Sequence, residues 1–519
     1  MRAKKYLALL LSLLLLACPL AGCRREEESS DPVLVVATPK PREDITTLNI
    51  VIPQTVETLH PLLATQREVR SMLGLVFESL VTYDEEGNPT GGLAAGLEPD
   101  EAARIWTIKL RTQAAWQGSG RALTADDVIF TLNLIRDIGK NGPYGSVLEY
   151  ISGWEKVDDT TVKIVFTHGF MGNQMALDFP VLPADAGYSV SKAPNPAVGT
   201  GPYVMNELVT GENLTLTANP RWWKQQPAIT TVVAHRFEDA STASTSLMLR
   251  QLDALQSDAL VTDQYSYAGD VNTYQYVTPY FEFLAFNMTS EKVADARLRQ
   301  AIALGLDRKN IVSTVYMNHA TLCDTPYYPG NAMLKADTTR ENDAEKAKLA
   351  LASMGWKKET ELTLLVCENR EDTTRTQAAS LIARQLSEMG VTVKVKSQNS
   401  EEFAASLEAG EYDLLLAGWY MSSVPDLSFA LSSAGKGNVM NYASAEMDQK
   451  LKNLLNSGRD GFDGALDEVK ALLTEDVPLV SLYFRNHTLM TSAQVKGVSH
   501  VEEDNAFAFI DQWIVSNTD

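Results

Sequence analysis

A chain of 519 residues, 45% of them hydrophobic, is too long for one ordinary hydrophobic core, so we expect two or three domains. Its 66 acidic residues outnumber its 45 basic residues, which gives a formal net charge of −21 at pH 7. Because nucleic-acid binding depends on clustered cations, this composition argues against a nucleic-acid partner.

The amino terminus has the pattern of a secretory signal. Three basic residues precede an apolar run over positions 6–16 that is too short to span a membrane, and Leu-Ala-Gly comes directly before Cys23. The pattern is similar to the bacterial lipobox, so we expect a signal peptide over 1–22 and lipidation of Cys23. An ordinary cleaved signal with an incidental cysteine is the alternative. Loss of three basic residues and no acidic one would change the net charge from −21 to −24.

The first folded elements follow a tether. Residues 23–45 lack a hydrophobic period, which predicts a flexible segment. Alternation over 47–52 predicts a strand, and apolar spacing over 68–82 predicts a helix. Alternation over 106–111 predicts a second, half-buried strand.

A helix with a capping box is predicted next. Thr124 is placed to cap the helix, and Asp127 follows three residues later, before an apolar face at helical spacing. The pair Asp126-Asp127 could also suggest acid–base chemistry. In the first turn of a helix, however, acidic residues commonly complement the dipole and bind free N–H groups, and we favour that interpretation.

The remaining pattern alternates strands and helices. Residues 203–208 and 214–218 predict a hairpin. Helices are predicted from Asp295 and over 373–389, where Gly390 ends the second one, and strands are predicted at 391–395 and 412–417. This order indicates an α/β fold.

The sequence contains no motif for catalysis, a metal or a cofactor. Six histidines lack metal-ligand spacing, and the chain has neither a phosphate-binding glycine loop nor a Gly-x-Ser-x-Gly elbow. We therefore predict no enzyme activity and no cofactor. Cys323 and Cys367 could pair in an oxidising compartment, but isolated cysteines are more often small buried residues.

A series of motifs resembles the solute-binding proteins of peptide- and nickel-type ABC transporters, known as extracellular solute-binding protein family 5. Each motif is weak alone, but their shared order over nearly the whole mature chain is specific. The matching segments are 59–61 (Leu-His-Pro), 77–80 (Phe-Glu-Ser-Leu), 110–116, 123–128, 198–203, 219–223, 295–308, 412–419 and 477–479.

The resemblance implies a two-lobed, periplasmic-binding-protein-like α/β fold of the large three-domain form. Domain I would comprise 46–77, 196–285 and 481–519, domain II 78–195, and domain III 286–480. The chain would capture a solute between its lobes, close by a hinge and deliver the solute to a membrane permease. We expect a lipid-anchored, extracytoplasmic monomer that binds a small molecule or peptide and no nucleic acid.

The resemblance also implies ligand contacts. Peptide-binding relatives hold an extended ligand largely through backbone hydrogen bonds, and their contact strand matches Thr65, Gln66 and Arg67. A second bounding segment matches 417–420 and includes Trp419 and Tyr420. Tyr144 matches an aromatic residue of the cleft in some relatives, although a tyrosine after a turn can equally be structural.

One position departs from the family pattern. Many peptide receptors of the family have an aspartate for the ligand ammonium three residues after the matching tryptophan, and here that residue is Ser422. Asp426 could replace the missing carboxylate, although Pro425-Asp426 is also typical of a loop. Without a carboxylate, a buried ammonium would lose a charge-assisted hydrogen bond.

Two arginines are candidates for a ligand carboxylate. Arg370 and Arg375 follow a predicted strand at the place where some dipeptide-binding relatives have such an arginine, and a guanidinium binds a carboxylate through two hydrogen bonds. Both could instead be solvated residues of a loop and a helix start. His60, where the family often has aspartate, is interpreted as structural.

The leading hypothesis is therefore an oligopeptide- or dipeptide-binding lipoprotein of an ABC importer. A receptor of the same fold for a nickel chelate, a sugar or an opine-like molecule is the main alternative. A surface hydrolase or adhesin is the alternative from another class.

Overall fold

The structure is a computed structural model that describes residues 44–266, 269–335 and 340–517. The predicted signal peptide, Cys23 and nearly all of the predicted tether lie outside the described residues. Residues 44–517, with the gaps given, belong to one compact unit. Within them, no helix combines the length and the hydrophobicity that crossing a bilayer would require.

The strands and helices of the described residues have the following bounds. The strands are β1 (Thr47–Pro53), β2 (Val81–Tyr83), β3 (Pro89–Gly91), β4 (Ala94–Pro99), β5 (Ile105–Leu110), β6 (Ile151–Asp158), β7 (Thr161–Phe166), β8 (Tyr203–Met205), β9 (Leu214–Ala218), β10 (Thr231–Phe237), β11 (Ala254–Ser257), β12 (Val271–Phe286), β13 (Ala320–Leu322), β14 (Glu361–Cys367), β15 (Thr392–Gln398), β16 (Leu414–Tyr420), β17 (Leu479–Ser492), β18 (Val495–Lys496) and β19 (Ile514–Val515). The α-helices are α1 (Arg67–Leu73), α2 (Ala125–Ile138), α3 (Val147–Tyr150), α4 (Ala240–Met248), α5 (Asp263–Ser266), α6 (Ala296–Gly305), α7 (Arg308–Val315), α8 (Ala344–Ser353), α9 (Thr374–Met389), α10 (Ser400–Glu408), α11 (Ser428–Leu431), α12 (Ala445–Leu454) and α13 (Phe462–Asp476). Short 3-10 helices lie at Met171–Leu177, Glu291–Val293, Ala332–Leu334 and Ile510–Gln512.

The first sheet has the strand order β1-β10-β9-β8. β1 runs parallel to β10, whereas β10-β9 and β9-β8 are antiparallel. Leu48, Ile50 and Ile52 are completely buried, as the alternating pattern of β1 predicts. The predicted strand and hairpin are therefore confirmed, although the first hairpin strand ends at Met205 and not at position 208.

A second, antiparallel sheet has the order β4-β5-β7-β6, and α2 packs on it. The predicted capping box is present at the start of α2, where the Thr124 N–H donates to Asp127 Oδ2 over 2.9 Å. Asp127 is completely buried and also accepts hydrogen bonds from Arg121 and from Trp116 Nε1. Its carboxylate thus has a structural role, as we favoured from the sequence.

The largest sheet has the order β11-β17-β12-β16-β14-β15, and β13 also pairs with β17. The long strands β12 and β17 are antiparallel, with register shifts on β12 between Val277 and Phe281 and between Glu282 and Phe283. At the other end, β14 runs parallel to β15 and β16, and α9 covers them. The helix α9 ends at Gly390, whose φ of 92° is left-handed and suits glycine. The mixed α/β class is confirmed.

The predicted helix over 68–82 is wrong in its second half. The helix α1 ends at Leu73, turns follow at 74–76, and residues 81–83 form β2. Val76 and Leu80 are completely buried, as an apolar face would be, but they are buried within turns. Apolar spacing over so short a stretch does not distinguish a helix from a buried turn followed by a strand.

The predicted three-domain division remains a prediction. The first sheet lies wholly within predicted domain I, and the second lies within predicted domain II. The largest sheet joins strands of predicted domains I and III, because β12 and β17 run up to or across the boundaries proposed near 286 and 480. Any hinge between the lobes must therefore allow β12 and β17 to continue across these boundaries.

The buried carboxylate of α2 gives the first testable prediction. Replacement Asp127→Ala removes an acceptor of six hydrogen-bond donors, from Arg121, Trp116, Thr124 and Ala184, and should lower the free energy of unfolding by about 3 kcal/mol. The neighbouring Asp126→Ala, at a carboxylate that is 63% exposed, should cost less than about 1 kcal/mol. Urea denaturation of the two variants measures both values, and equal losses would contradict the assigned role of Asp127.

Candidate functional site

A cavity of about 250 Å³ is formed by segments that are distant in sequence. One wall runs from Arg70 on α1 to Tyr83 on β2, and a second is the loop 500–505 that follows β18. Asp178 lies directly after the 3-10 helix Met171–Leu177, and residues 421–423 follow β16. Residues 144, 279 and 328–331 contribute further lining atoms.

The loop 500–505 carries three consecutive acidic residues, and each has a basic partner. The Asp504 carboxylate accepts a 2.6 Å hydrogen bond from Arg70 Nη2. The Glu503 carboxylate lies 2.9 Å from His487 Nδ1, and the positive charge of Arg67 acts to lower the pKa of Glu503. Glu502 lies 3.4 Å from His500 Nε2. The loop is therefore tied to α1 and to β17 by ion pairs.

These partners affect the pKa values in opposite directions. Burial raises the pKa of Asp504 to about 6, although Arg70 opposes the change and Glu503 and Glu502 reinforce it. Burial also acts to raise the pKa of Glu503, but hydrogen bonding to His487 and the charge of Arg67 outweigh it, and the net pKa is lowered. The hydrogen bond to Glu502 raises the pKa of His500.

Asp178 differs from these three residues because no lysine, arginine or histidine of the described residues forms an ion pair with it. The Ser423 side chain lies near enough to lower the pKa of its carboxyl group, whereas Asp504 and Glu502 are close enough to repel its negative charge. Burial, reinforced by these two carboxylates, raises the pKa of Asp178 to about 7. Near neutral pH the group therefore exchanges between the acid and the carboxylate.

Glu78 also lines the cavity, but both of its carboxylate oxygens already accept hydrogen bonds from other residues of the protein. Oε1 accepts hydrogen bonds from the indole N–H groups of Trp222 and Trp223, over 3.2 and 3.1 Å. Oε2 accepts one from the Thr200 hydroxyl over 2.9 Å. Burial raises the pKa of Glu78, and these donors, together with the charge of Lys224, oppose the change. The arrangement explains why three of the recognised sequence motifs lie together.

The predicted contact strand 65–67 lies at the start of α1. Thr65 is exposed, and Gln66 holds the loop before it by donating to Thr55 O and accepting from the Glu57 N–H. Arg67 Nη1 lies 3.2 Å from His487 Nδ1, next to the Glu503 side of the acidic loop. None of the three is among the residues that line the cavity, so their ligand contact stays a prediction.

The structure places Tyr144 in the cavity wall. Burial raises the pKa of its hydroxyl to about 12, although the nearby Arg70 guanidinium opposes the change. Arg70 thus links Tyr144 to Asp504 and fixes two walls of the cavity relative to each other.

The segment after β16 combines aromatic and polar residues. Trp419 packs against Phe283 with ring centroids 4.0 Å apart, and Tyr420, which is 52% exposed, packs edge-on against Tyr280. Ser422 lines the cavity, and its Oγ accepts the Val424 N–H over 3.2 Å. Of the predicted residues Trp419, Tyr420 and Ser422, Ser422 is the one in the cavity wall, and the ligand roles of the other two remain predictions.

Asp426, the proposed substitute for the missing family aspartate, already has partners. Its Oδ1 accepts the Ser428 N–H over 2.8 Å at the start of α11, and its carboxylate lies close enough to Tyr150 to help raise the pKa of that hydroxyl, after the larger effect of burial. Asp426 is not among the residues that line the cavity. Its predicted role at the ligand ammonium is untested, and the geometry supports its loop function.

The two candidate arginines have different surroundings. Arg370 is exposed on the loop between β14 and α9, and its guanidinium has no hydrogen bond or ion pair to another described residue. Arg375 is bound through two hydrogen bonds to Glu282, a buried carboxylate on β12, at 2.9 and 2.8 Å. Arg485 on β17 donates to the same carboxylate over 2.9 Å. Both arginines lie outside the cavity lining, so their roles toward ligand carboxylates stay predictions.

Three other sequence interpretations concern residues outside the cavity chemistry. His60 is completely buried, and its ring nitrogens contact Ser189 O and the Leu62 N–H, which fits the structural role that we inferred. No disulfide joins Cys323 to Cys367. In the described part of the chain, no group of three or more His, Cys, Asp or Glu side chains is arranged to hold a metal ion.

Sequence reasoning missed Arg70, Asp178 and the acidic loop. The run Glu502-Glu503-Asp504 is visible in the sequence, but charge runs are usually solvated surfaces and nothing local distinguishes this one. Arg70 and its partner Asp504 are 434 residues apart. The missing family aspartate at Ser422 was the one available signal that a carboxylate should be sought elsewhere.

Comparison with known proteins accounts for this architecture. Residues 88–441 match the family described as "Bacterial extracellular solute-binding proteins, family 5 Middle". The chain belongs to this family. Family 5 binding proteins act outside the cytoplasm, and the α/β architecture of this chain is that of the multidomain periplasmic binding proteins.

Individual relatives agree with the family assignment. The oligopeptide-binding protein AppA of Bacillus subtilis is 25% identical to this family 5 protein over 552 residues, which cover 99% of each chain. The crystal structure of the ABC transporter substrate-binding protein CtaP from Listeria monocytogenes has a TM-score of 0.76 and 22% identity, and the match covers 91% of this chain and all of that one. NikZ from Campylobacter jejuni, solved with Ni(L-His), has a TM-score of 0.65 and 21% identity over 91% and 99% of the two chains.

The unpaired carboxyl group in the cavity gives a prediction about stability. Because the folded-state pKa of Asp178 is about 7 and the ordinary value is 3.8, its ionisation destabilises the ligand-free protein as the pH rises from about 4 to about 7. Asp178→Asn removes this ionisable group and should therefore raise the free energy of unfolding at pH 8. Each pKa unit by which folding raises the pKa of Asp178 contributes about 1.4 kcal/mol to this gain. The gain should disappear near pH 4.

A control with the opposite sign is available at the surface. Hydrogen bonds from the backbone and side chain of Thr160 lower the pKa of Asp158, so Asp158→Asn should not stabilise the protein at high pH. Thermal unfolding of both variants between pH 4 and pH 8 makes the comparison. A pH-independent effect of Asp178→Asn would exclude ionisation as its cause.

Proposed function

We propose that this family 5 protein captures peptides in the cavity between α1, the loop 500–505 and Asp178, and delivers them to the permease of an ABC importer. The observation that carries the proposal is the cavity itself, where an arginine, three tyrosines, serines and several carboxyl groups from distant segments converge. Peptides present the complementary groups, namely N–H, C=O, ammonium and carboxylate. The peptide-binding name of the B. subtilis relative supports the same ligand class.

The surroundings of the cavity suit an extended ligand. Gln66 has extended backbone angles directly before α1, and β16 ends at the exposed Tyr420. Extended segments and strand ends can bind a peptide main chain in the manner of an added strand, which tolerates varied side chains. Thr65, Gln66, Arg67, Trp419 and Tyr420 are therefore proposed as contacts of a ligand that is longer than the cavity.

Capture and release require the two lobes to move relative to each other, and we propose that this motion is centred on the long strands β12 and β17. β12 and β17 connect the parallel part of the largest sheet to its opposite end, and β12 has register shifts on both sides of Phe281. Local irregularity in a long strand is a place where two packed bodies can rotate relative to each other. This location agrees with the division into domains 46–77, 196–285 and 481–519, 78–195, and 286–480.

The remaining parts of the proposal concern the cellular setting. We propose that Cys23 is lipidated and that residues 23–45 form the tether that keeps the protein near its permease. Two or more acyl chains would provide a lasting anchor. We further propose that the protein works as a monomer and binds its solute without converting it.

Native mass spectrometry of protein purified without denaturation tests the ligand class directly. We expect a co-purified mass that fragments as a peptide. Thermal unfolding with a peptide library and, separately, with Ni(L-His) provides the second readout, because a ligand present at about 100 times its Kd stabilises the folded state by about 2.7 kcal/mol. If Ni(L-His) or another solute raises the melting temperature and no peptide does, the proposed function is wrong.

A cavity-filling substitution tests the location. Ser422→Phe places a large side chain in the cavity wall and should weaken peptide binding about tenfold or more, since its volume competes with the ligand. Ser380→Phe, at an exposed position of α9 outside the cavity, is the matched control and should leave affinity unchanged. Isothermal titration calorimetry with the peptide identified above measures both. Equal affinities for the two variants would move the binding site elsewhere.

A further inference from the structure

We propose that Asp178 binds a positively charged group of the ligand, and this inference rests on the proposed function. The cavity holds five acidic side chains in its wall, at 78, 178, 502, 503 and 504. Four of them have their charge balanced or solvated by the protein, as described above. Asp178 is the carboxyl group for which the described residues offer a hydroxyl and no cation.

The imbalance has a physical cost in the ligand-free protein. A carboxylate in a partly buried site is stabilised by a cation or by several N–H donors, and the protein offers Asp178 its own backbone N–H and the neighbouring Ser423 side chain but no basic side chain among the described residues. The titratable groups that face it are Asp504, Glu502, Tyr83 and Tyr144. Two of these are negative and two are neutral near pH 7. An ammonium or guanidinium group would remove the repulsion and supply the missing donors.

A second, independent feature of the wall favours a ligand that donates hydrogen bonds. Asn505, which also lines the cavity, has a buried side-chain oxygen without a hydrogen-bond partner among the described residues. A buried acceptor left unsatisfied destabilises the folded protein, and a ligand donor that reaches it removes that cost. The carboxyl oxygens of Asp178 and the amide oxygen of Asn505 both accept, so a group with several N–H donors fits this wall.

Arg70 does not fill the place of the missing cation. Its guanidinium is already paired with the Asp504 carboxylate over 2.6 Å, and no ion pair joins it to Asp178. A ligand cation can therefore pair with Asp178, while the charge of Arg70 is already balanced by the protein. The chemistry that this arrangement selects is a cationic nitrogen, whether the amino terminus of a peptide or a basic side chain.

The proton balance of the binding step follows from this geometry. When the protonated acid form of Asp178 binds a cationic group, the carboxyl proton leaves to solvent and the carboxylate forms a charge-assisted hydrogen bond. No covalent bond forms or breaks. Binding near pH 7 should therefore release up to one proton per ligand, and the measured binding enthalpy should depend on the ionisation enthalpy of the buffer.

Three peptide probes distinguish the sources of the cation. Ala-Ala-Ala carries an amino-terminal ammonium, N-acetyl-Ala-Ala-Ala carries none, and N-acetyl-Ala-Lys-Ala carries a side-chain ammonium. We expect the wild-type protein to bind Ala-Ala-Ala at least about tenfold more tightly than its acetylated form. Tight binding of N-acetyl-Ala-Lys-Ala would assign the Asp178 site to a basic side chain.

The isosteric variant Asp178→Asn tests whether Asp178 is the residue that binds the ligand cation. It should weaken binding of the cationic probe by about 30-fold or more, leave the uncharged probe unaffected and abolish proton release. Asp158→Asn is the neutral control at the surface. Asp426→Asn tests the rival position, and loss of charge discrimination in that variant alone would overturn the proposal.

The experiments distinguish a failure of the role proposed for Asp178 from a failure of the proposed peptide-binding function. If wild-type protein binds tripeptides but ignores acetylation, and Asp178→Asn changes nothing, the inference about Asp178 is wrong and the peptide function stands. If none of the three probes and no library peptide binds, the proposed function fails and the inference fails with it. Equal weakening of charged and uncharged probes by Asp178→Asn would also overturn the inference, because it would indicate a structural effect.

Discussion

A carboxylate that leaves bulk water needs a cation or several N–H and O–H donors, and this constraint connects the framework of the protein to its cavity. Asp127 satisfies it at the start of α2, where Arg121 and Trp116 converge on its oxygens. Glu282 satisfies it in the largest sheet, where Arg375 and Arg485 bind it from α9 and β17. The Glu282 cluster joins segments that are far apart in sequence, and Asp127 also binds the Ala184 N–H, which is 57 positions away. Both carboxylates therefore fix the relative positions of segments that hydrophobic contacts alone would hold less specifically.

The other acidic residues of the cavity wall meet the same requirement, and Asp178 is the exception. Along the loop 500–505 each carboxylate meets a basic side chain, and the Arg70–Asp504 pair joins this loop to α1. Among the described residues, Asp178 has no basic partner: its favourable neighbours are the Ser423 side chain and its own backbone N–H, and two carboxylates repel it. A protein selected only for stability would pair or remove such a group. In a solute-binding protein the same defect becomes useful, because the ligand completes the hydrogen bonding that the fold leaves unfinished and gains affinity from doing so.

The local pattern of the chain predicted much of the secondary structure. Alternation located β1 and β5, the Thr124–Asp127 spacing located the start of α2, and Gly390 marked the end of α9. The helix expected through residue 82 failed because buried turns and a short strand gave the same apolar spacing as a helix. The site was harder to predict. The sequence predicted Arg375 as a contact of a ligand carboxylate, but it could not show that Glu282, 93 residues away, lies against the guanidinium.

The sequence by itself determined the family, the α/β class and the absence of the usual aspartate at Ser422, because ordered motifs and periodicity are local properties of a chain. The tertiary structure alone decided which charged side chains are already neutralised and which remain available to a ligand. That distinction depends on distances of a few ångströms between residues such as Arg70 and Asp504, which are 434 positions apart. Electrostatic interactions are set by distance in space and by burial, and neither quantity is written in the order of the residues.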